Sequence, residues 1–199
     1  MGAIFQSLGR TIVAGIVLLV VLLVILTTAA GGRIAFDHGW GLFAMRWLHI
    51  TAGVMWIGLL WYFNFVQTPS MPKIPDEQKP AVSKVIAPTA LFWFRWSAMA
   101  TIILGVILAM MNGYLVQALS LQKPFVAIGL GAWLGTIMWF NVWFIIWPNQ
   151  KKALGIVQVS AEEKAAAAKK AGMASRINTM LSIPMLYFMV AQQHGGIAW

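Results

Sequence analysis

Histidine is the side chain of this sequence best suited to bind a metal ion or a haem group. The chain has three histidines, His38, His49 and His194, and no cysteine. The absence of cysteine excludes thiolate zinc sites, cysteine-ligated iron–sulfur clusters and covalently attached c-type haem. His49 lies in the apolar stretch 42–66, and His194 follows the apolar stretch 177–193. We therefore expect His49 and His194 to approach each other and to ligate a b-type haem between two helices.

Two residues near His49 fit this expectation. Gly53 lies one helical turn away, where a small residue would let a flat macrocycle approach the helix backbone. Arg46 lies about one turn to the other side, at a depth suited to pairing with haem propionates. A plainer interpretation stays open, in which His49 hydrogen-bonds a neighbouring helix and His194 is an exposed residue near the end of the sequence.

A second group of polar residues lies in the apolar stretches. Its members are Asn64, Arg95, Asn141, Arg176 and Asn178. In the simpler interpretation the asparagines form interhelical hydrogen bonds, and Arg95 either reaches the membrane surface or bonds the amide oxygen of Asn64 or Asn141. The alternative is a polar pocket for a quinone head group or a second prosthetic group. We favour the simpler interpretation, because no carboxylate or histidine accompanies these residues to handle protons.

Acidic residues are scarce and confined to the predicted loops. The chain has five, at positions 37, 76, 77, 162 and 163. No carboxylate is therefore predicted within the membrane to act as general base, proton relay or metal ligand. The sequence also lacks a glycine-rich nucleotide-binding loop and a Ser, His and Asp constellation. These observations argue against a self-contained hydrolase or an ion pump.

The elements that position these side chains are predicted to be membrane helices. The chain is 60% hydrophobic and 10% charged, which is typical of a polytopic membrane protein. About 20 apolar residues span the hydrocarbon core of a bilayer, so the sequence predicts an all-α bundle of five membrane helices in a single domain. Their approximate ranges are 11–30, 42–66, 89–116, 124–147 and 177–193.

A short cytoplasmic surface helix is predicted at residues 161–171. Ser160 and Glu163 have the spacing of a capping box, and alanine dominates the residues that follow. Gly172 comes directly after this stretch and is expected to end the helix.

The distribution of Lys and Arg predicts the orientation in the membrane. With five spans and the N-terminus inside, 11 of the 14 Lys and Arg residues lie on the cytoplasmic side. Cytoplasmic loops carry the excess of such residues, so we expect the N-terminus to be cytoplasmic and the C-terminus to be outside. The net charge of +9 is then explained by topology and anionic lipid, and not by nucleic acid.

Four stretches carry a family resemblance. They are "RWLHITAGVMWIGLLWYFNFVQTP", "FRWSAMATIILG", "NVWFIIWPNQKK" and "SRINTMLSIPMLYFM". Together they resemble the membrane domain of the bacterial urate oxidase N-terminal family, in fragments from Arg46 to Met189. The resemblance implies a polytopic domain in the bacterial inner membrane, linked to urate oxidation with electrons passed to a C-terminal cytochrome c. This chain departs from that pattern, because without cysteine it has no CxxCH haem site.

Two functional hypotheses follow from the sequence. The first is a membrane redox protein that holds haem b through His49 and His194 and exchanges electrons with an external cytochrome or a quinone. The second is a haem-free structural subunit that packs against other subunits of a larger respiratory or photosynthetic membrane complex. Large apolar helix faces suit either hypothesis.

Overall fold

The computed structural model describes residues 2–197, and within this range it contains helices and loops but no β-strand. The described chain divides into two compact units, residues 2–41 and residues 42–197. The helices are α1 Gly2–Phe5, α2 Leu8–Thr28, α3 His38–Lys73, α4 Lys79–Met111, α5 Leu115–Leu119, α6 Val126–Ala153 and α7 Ala161–His194. The all-α prediction is thereby confirmed.

The first unit consists mainly of α2, which has no buried residue. Its sequence is apolar throughout from Ile12 to Leu26, so the whole circumference of this part of the helix is suited to contact with lipid. Near its C-terminal end, the hydroxyls of Thr27 and Thr28 both donate to the Val24 carbonyl. These bonds satisfy polar groups without a partner helix, which is a requirement within a bilayer.

The second unit is a bundle of α3, α4, α6 and α7, with α5 packed on α6. Large apolar side chains from three of these helices fill its centre. Those that are fully buried are Trp56, Leu60, Phe94, Met138 and Val142. Close packing at this core fixes the positions of the helices, and so of the polar side chains that project between them.

Within the described residues, four helices are long and apolar enough to cross a membrane, namely α2, α3, α4 and α6. They correspond to the first four predicted spans, with different ends. In particular, the predicted span 89–116 is interrupted, because α4 ends at Met111 and Gly113 adopts a φ of 75° in the turn before α5. The fifth predicted span, 177–193, lies within α7, which carries buried Asn178 and Ser182 and is less apolar than the other four.

The short helix predicted at 161–171 is not a separate element. It forms the first part of α7, which continues to His194. The predicted cap is present, since the Ser160 side chain accepts a hydrogen bond from the Glu163 amide. Gly172 does not end the helix, because a glycine inside a helix costs only about 1 kcal/mol. Packing of α7 against α6 offsets a cost of that size.

Helix α7 runs antiparallel to α6 along its full length. At one end Lys152 pairs with Glu163, and in the middle Asn141 bonds Asn178. At the other end the Gln192 side chain accepts from the Ile128 amide and donates to the Pro124 carbonyl. These contacts place the two ends of α7 level with the two ends of α6.

Three long helices contain a π-helical segment, and each segment is followed by a proline. The segments are Tyr62–Gln67 in α3, Val82–Ile86 in α4 and Asn141–Ile146 in α6, and the prolines are Pro69, Pro88 and Pro148. A proline ring clashes with the carbonyl four residues earlier, and here that carbonyl lies inside the π-helical segment each time. Widening the helix to i→i+5 bonding relieves this clash.

Candidate functional site

All three π-helical segments line one cavity. It has a volume of about 580 Å³ and lies between α3, α4, α6 and α7. The segments contribute Phe63, Asn64, Gln67, Val82, Ser83 and Ile146 to its walls. π-Helical turns are rare and occur often at functional sites, so their convergence on a single cavity marks it as the candidate site.

The walls of the cavity combine polar and positively charged residues with apolar ones. The polar residues include Gln150 and Ser175, and the cationic residues are Lys169 and Arg176 of α7. No Asp or Glu occurs among the described residues that line it. The apolar residues include Leu91 and the aromatic rings of Phe63 and Phe94, which pack edge to face at 5.7 Å. A flat organic anion matches this combination of residues.

Hydrogen bonding leaves acceptor oxygens available in the cavity. The Asn64 Nδ2 donates to the Leu60 carbonyl at 2.9 Å and to Ser175 Oγ at 2.8 Å, which fixes the orientation of the amide. Gln67 Oε1 is buried and has no hydrogen-bond partner. A buried acceptor without a partner costs free energy, and a ligand N–H group would remove that cost.

The asparagines of the second polar group form the interhelical bonds that the sequence predicts. Asn64 bonds Ser175, and the Asn141 Nδ2 donates to Asn178 Oδ1 at 2.8 Å. The predicted bond of Arg95 to Asn64 or Asn141 is not among the hydrogen bonds of the described residues, and the Arg95 guanidinium lies over the Trp147 indole with 3.3 Å between Cζ and the ring centroid.

His49 lies where α3 packs against α4. Its Nδ1 is 2.9 Å from the Thr101 carbonyl oxygen, so Nδ1 carries a proton that it donates, and Nε2 is the acceptor nitrogen of the neutral imidazole. Gly105 makes room for the imidazole, since a Cβ there would be 2.9 Å from His49 Cε1. Gly53 faces the same helix, because a Cβ at position 53 would be 3.9 Å from Thr101 Cγ2. The face of α3 that bears His49 is therefore occupied by α4 at Gly53.

The other histidines and Arg46 have the following surroundings. Arg46 is half-buried on α3, where its charge acts on Tyr114. Burial raises the pKa of the Tyr114 hydroxyl, and Arg46 lowers it by a smaller amount. His194 is exposed in the last turn of α7, and His38 is exposed at the start of α3. Among the described residues, no group of three or more His, Asp or Glu side chains could hold a metal ion.

Helix α7 and the third π-helical segment lie in the part of the chain that matches a protein-family model. Residues 111–198 match the model of the urate oxidase N-terminal family. The match agrees with the resemblance found in the sequence and covers a little under half of the chain. The matched residues contain α5, α6 and α7, with the cavity residues Ser175 and Arg176. No curated protein and no solved structure matches the chain.

Sequence reasoning singled out some of the residues that line the cavity and missed others, and it favoured interhelical hydrogen bonds over a pocket. Asn64 and Arg176 belong to the polar group that the sequence singled out, and both line the cavity. Gln67, Ser83 and Lys169 were not predicted, because they lie outside the predicted membrane spans, where polar residues are ordinary. The prolines that follow the three π-helical segments were the available signal.

Proposed function

We propose that this protein is a multi-pass membrane protein that binds a planar, carbonyl-rich organic anion of the urate type in the cavity between α3, α4, α6 and α7. The observation that carries the proposal is the convergence of three π-helical segments on one cationic, carboxylate-free cavity. The family description names urate oxidase, and urate has the chemistry that these walls can recognise.

Urate is flat, carries ring N–H groups and carbonyl oxygens, and is an anion at neutral pH. Its N–H groups can donate to Gln67 Oε1, which has no partner in the protein. Its negative charge can be balanced by Lys169 and Arg176, and a charge-assisted bond to either is stronger than a neutral one. Its ring faces can pack on the apolar wall that Phe63 and Phe94 form.

Urate binding to the purified protein tests this proposal, measured by calorimetry. We expect Gln67→Leu to weaken urate binding about ten-fold, because it removes one buried acceptor and keeps the side-chain size. The matched control is Gln193→Leu on the exposed end of α7, which should bind urate as the wild type does. Absence of urate binding to the wild type, or equal loss in both variants, would disprove the proposal. Binding of a quinone analogue to a protein that does not bind urate would identify a quinone head group as the ligand.

A second candidate function is electron transfer through haem b with His49 as an axial ligand. The Nδ1 bond to the Thr101 carbonyl supports it, because a backbone acceptor on one imidazole nitrogen orients the other nitrogen for an iron. A haem at this position would exchange single electrons with a cytochrome or quinone. The fit is limited to one ligand, since His194 is exposed on α7 and Gly53 faces Thr101 and not open space.

Absorbance of the purified protein tests the haem proposal. We expect a Soret band and a b-type pyridine haemochrome in the wild type, lost in His49→Ala and kept in His38→Ala. Intact haem in His49→Ala would refute the assignment of His49. A colourless wild type that purifies in fixed ratio with other membrane proteins would favour the haem-free structural subunit.

The proposal includes five membrane crossings in a bacterial inner membrane, with the N-terminus inside. Because α7 is level with α6 at both ends, and α6 is itself long and apolar enough to span, α7 would cross the same depth of membrane. Its polar residues Asn178 and Ser182 are buried within the bundle and do not face lipid, so a spanning helix can contain them.

A further inference from the structure

Arg95 forms a second site on α4, apart from the residues that line the cavity. Its guanidinium lies over the Trp147 ring at 3.3 Å and within 5.9 Å of the Trp143 centroid. The Nε and Nη1 atoms are buried and have no hydrogen-bond partner, and the indole nitrogen of Trp143 is in the same condition. Three N–H donors of one cluster therefore lack an acceptor.

A second cation lies beside the same aromatic ring. Lys151 Nζ is 5.7 Å from the Trp147 centroid, so one indole ring contacts two positive charges. The acidic residues of the chain lie elsewhere. They are Asp37, Asp76, Glu77, Glu162 and Glu163, and the two that form ion pairs contact Lys79 and Lys152. Cation–π contacts offset only part of the cost of desolvating a guanidinium, so an anion from outside the protein would stabilise the cluster.

The position of the cluster suggests what that anion is. Lys151 and Trp147 lie near the end of α6, and Arg95 lies about two turns beyond Pro88 in α4. This is the side of the bundle where most Lys and Arg residues occur, which is the cytoplasmic side by the positive-inside rule. Exposed Trp93 and Trp96 flank the cluster on the same helix, as aromatic residues do at the depth of lipid head groups.

We propose that Arg95 and Lys151 bind the phosphate of an anionic phospholipid from the inner leaflet. The accessible part of the partly exposed Arg95 side chain would donate to phosphate oxygens, and Lys151 would add a second positive charge. The exposed rings of Phe92 and Trp96 would contact the acyl chains. This proposed lipid site does not depend on the binding of urate or haem.

Native mass spectrometry of the delipidated protein tests this proposal, with phosphatidylglycerol titrated against phosphatidylcholine. We expect retention of phosphatidylglycerol and about ten-fold weaker retention in Arg95→Gln, since several charge-assisted bonds are lost. Lys151→Gln, at a partly exposed position near the end of α6, serves if Arg95→Gln does not fold, and it should weaken retention about three-fold. The matched control is Lys84→Gln, which removes one exposed charge from the same side of the bundle and should retain lipid normally.

The thermal midpoint separates the sources of phosphate. Phosphatidylglycerol should raise the midpoint of the wild type but not that of the Arg95 or Lys151 variant, and inorganic phosphate at the same concentration should have no effect. Equal stabilisation by inorganic phosphate, equal retention of phosphatidylcholine, or equal weakening in Lys84→Gln would overturn the proposal.

Discussion

The buried amide of Asn178 fixes the register between α7 and α6. Its Oδ1 accepts from Asn141 at 2.8 Å and its Nδ2 donates to the Met138 carbonyl at 2.9 Å. Asn178 has no exposed surface, so water cannot replace either bond. Within a bilayer the hydrophobic effect does little to bring helices together. Hydrogen bonds between helices therefore help to select one register of α7 against α6 among several.

Replacing Asn178 by Leu should destabilise the bundle by about 1 kcal/mol. The substitution leaves the Asn141 Nδ2 buried without its acceptor, and a buried unpaired group costs more than the net value of the lost bond. The measurement is unfolding in detergent, followed by tryptophan fluorescence.

The control for this prediction is the Asn141→Leu, Asn178→Leu double variant. Because the two side chains bond each other, the double variant should be less destabilised than the sum of the single variants. Strictly additive effects would contradict the idea that this pair acts as a unit.

At the scale of elements, the prolines explain where the long helices change geometry. Pro69, Pro88 and Pro148 each follow a π-helical segment, and each segment lines the cavity. The X–Pro positions are readable from the sequence, but their structural effect is not fixed by proline alone. Pro184 lies inside α7, which has no such segment. The four long apolar helices could be predicted from hydropathy, whereas the cavity depends on local geometry that hydropathy does not encode.

The contact between α5 and α6 depends on Gly129. A Cβ at that position would be 2.0 Å from the Ala118 carbonyl oxygen, which is backbone and cannot move aside as a side chain can. We expect Gly129→Ala to destabilise the fold by about 3 kcal/mol, at the upper end of the cost of overpacking. The measurement is the thermal midpoint in detergent.

Gly58 provides the matched control for Gly129. It lies inside α3, and a Cβ there would meet nothing within 4 Å. Gly58→Ala should therefore be neutral or stabilise the helix by up to about 1 kcal/mol. A similar loss of stability in both variants would show that the close approach of α5 is not the cause.

At the scale of the whole molecule, composition predicted apolar, membrane-like helices, and the asparagines within the apolar stretches predicted some contacts between helices. The asparagine bonds between helices were predicted, because a buried amide within a membrane helix must find a partner. The stacking of Arg95 on Trp147 was not, because tryptophans near helix ends were interpreted as interfacial anchors. Sequence spacing relates residues on one helix, while a contact between helices also depends on their relative rotation.

The orientation of the bundle gives the last prediction. The loop at Ser120, between α5 and α6, should face outside, and Lys164 at the start of α7 should face the cytoplasm, because 11 of the 14 Lys and Arg residues then lie inside. The chain has no cysteine, so Ser120→Cys and Lys164→Cys each carry a single thiol, and both residues are exposed. A membrane-impermeant maleimide should label Ser120→Cys in intact cells and Lys164→Cys only after permeabilisation. The cysteine-free wild type gives the background, and labelling of both variants in detergent confirms that each thiol is reactive. The reverse pattern in intact cells would invert the bundle and would place the Arg95 cluster in the outer leaflet.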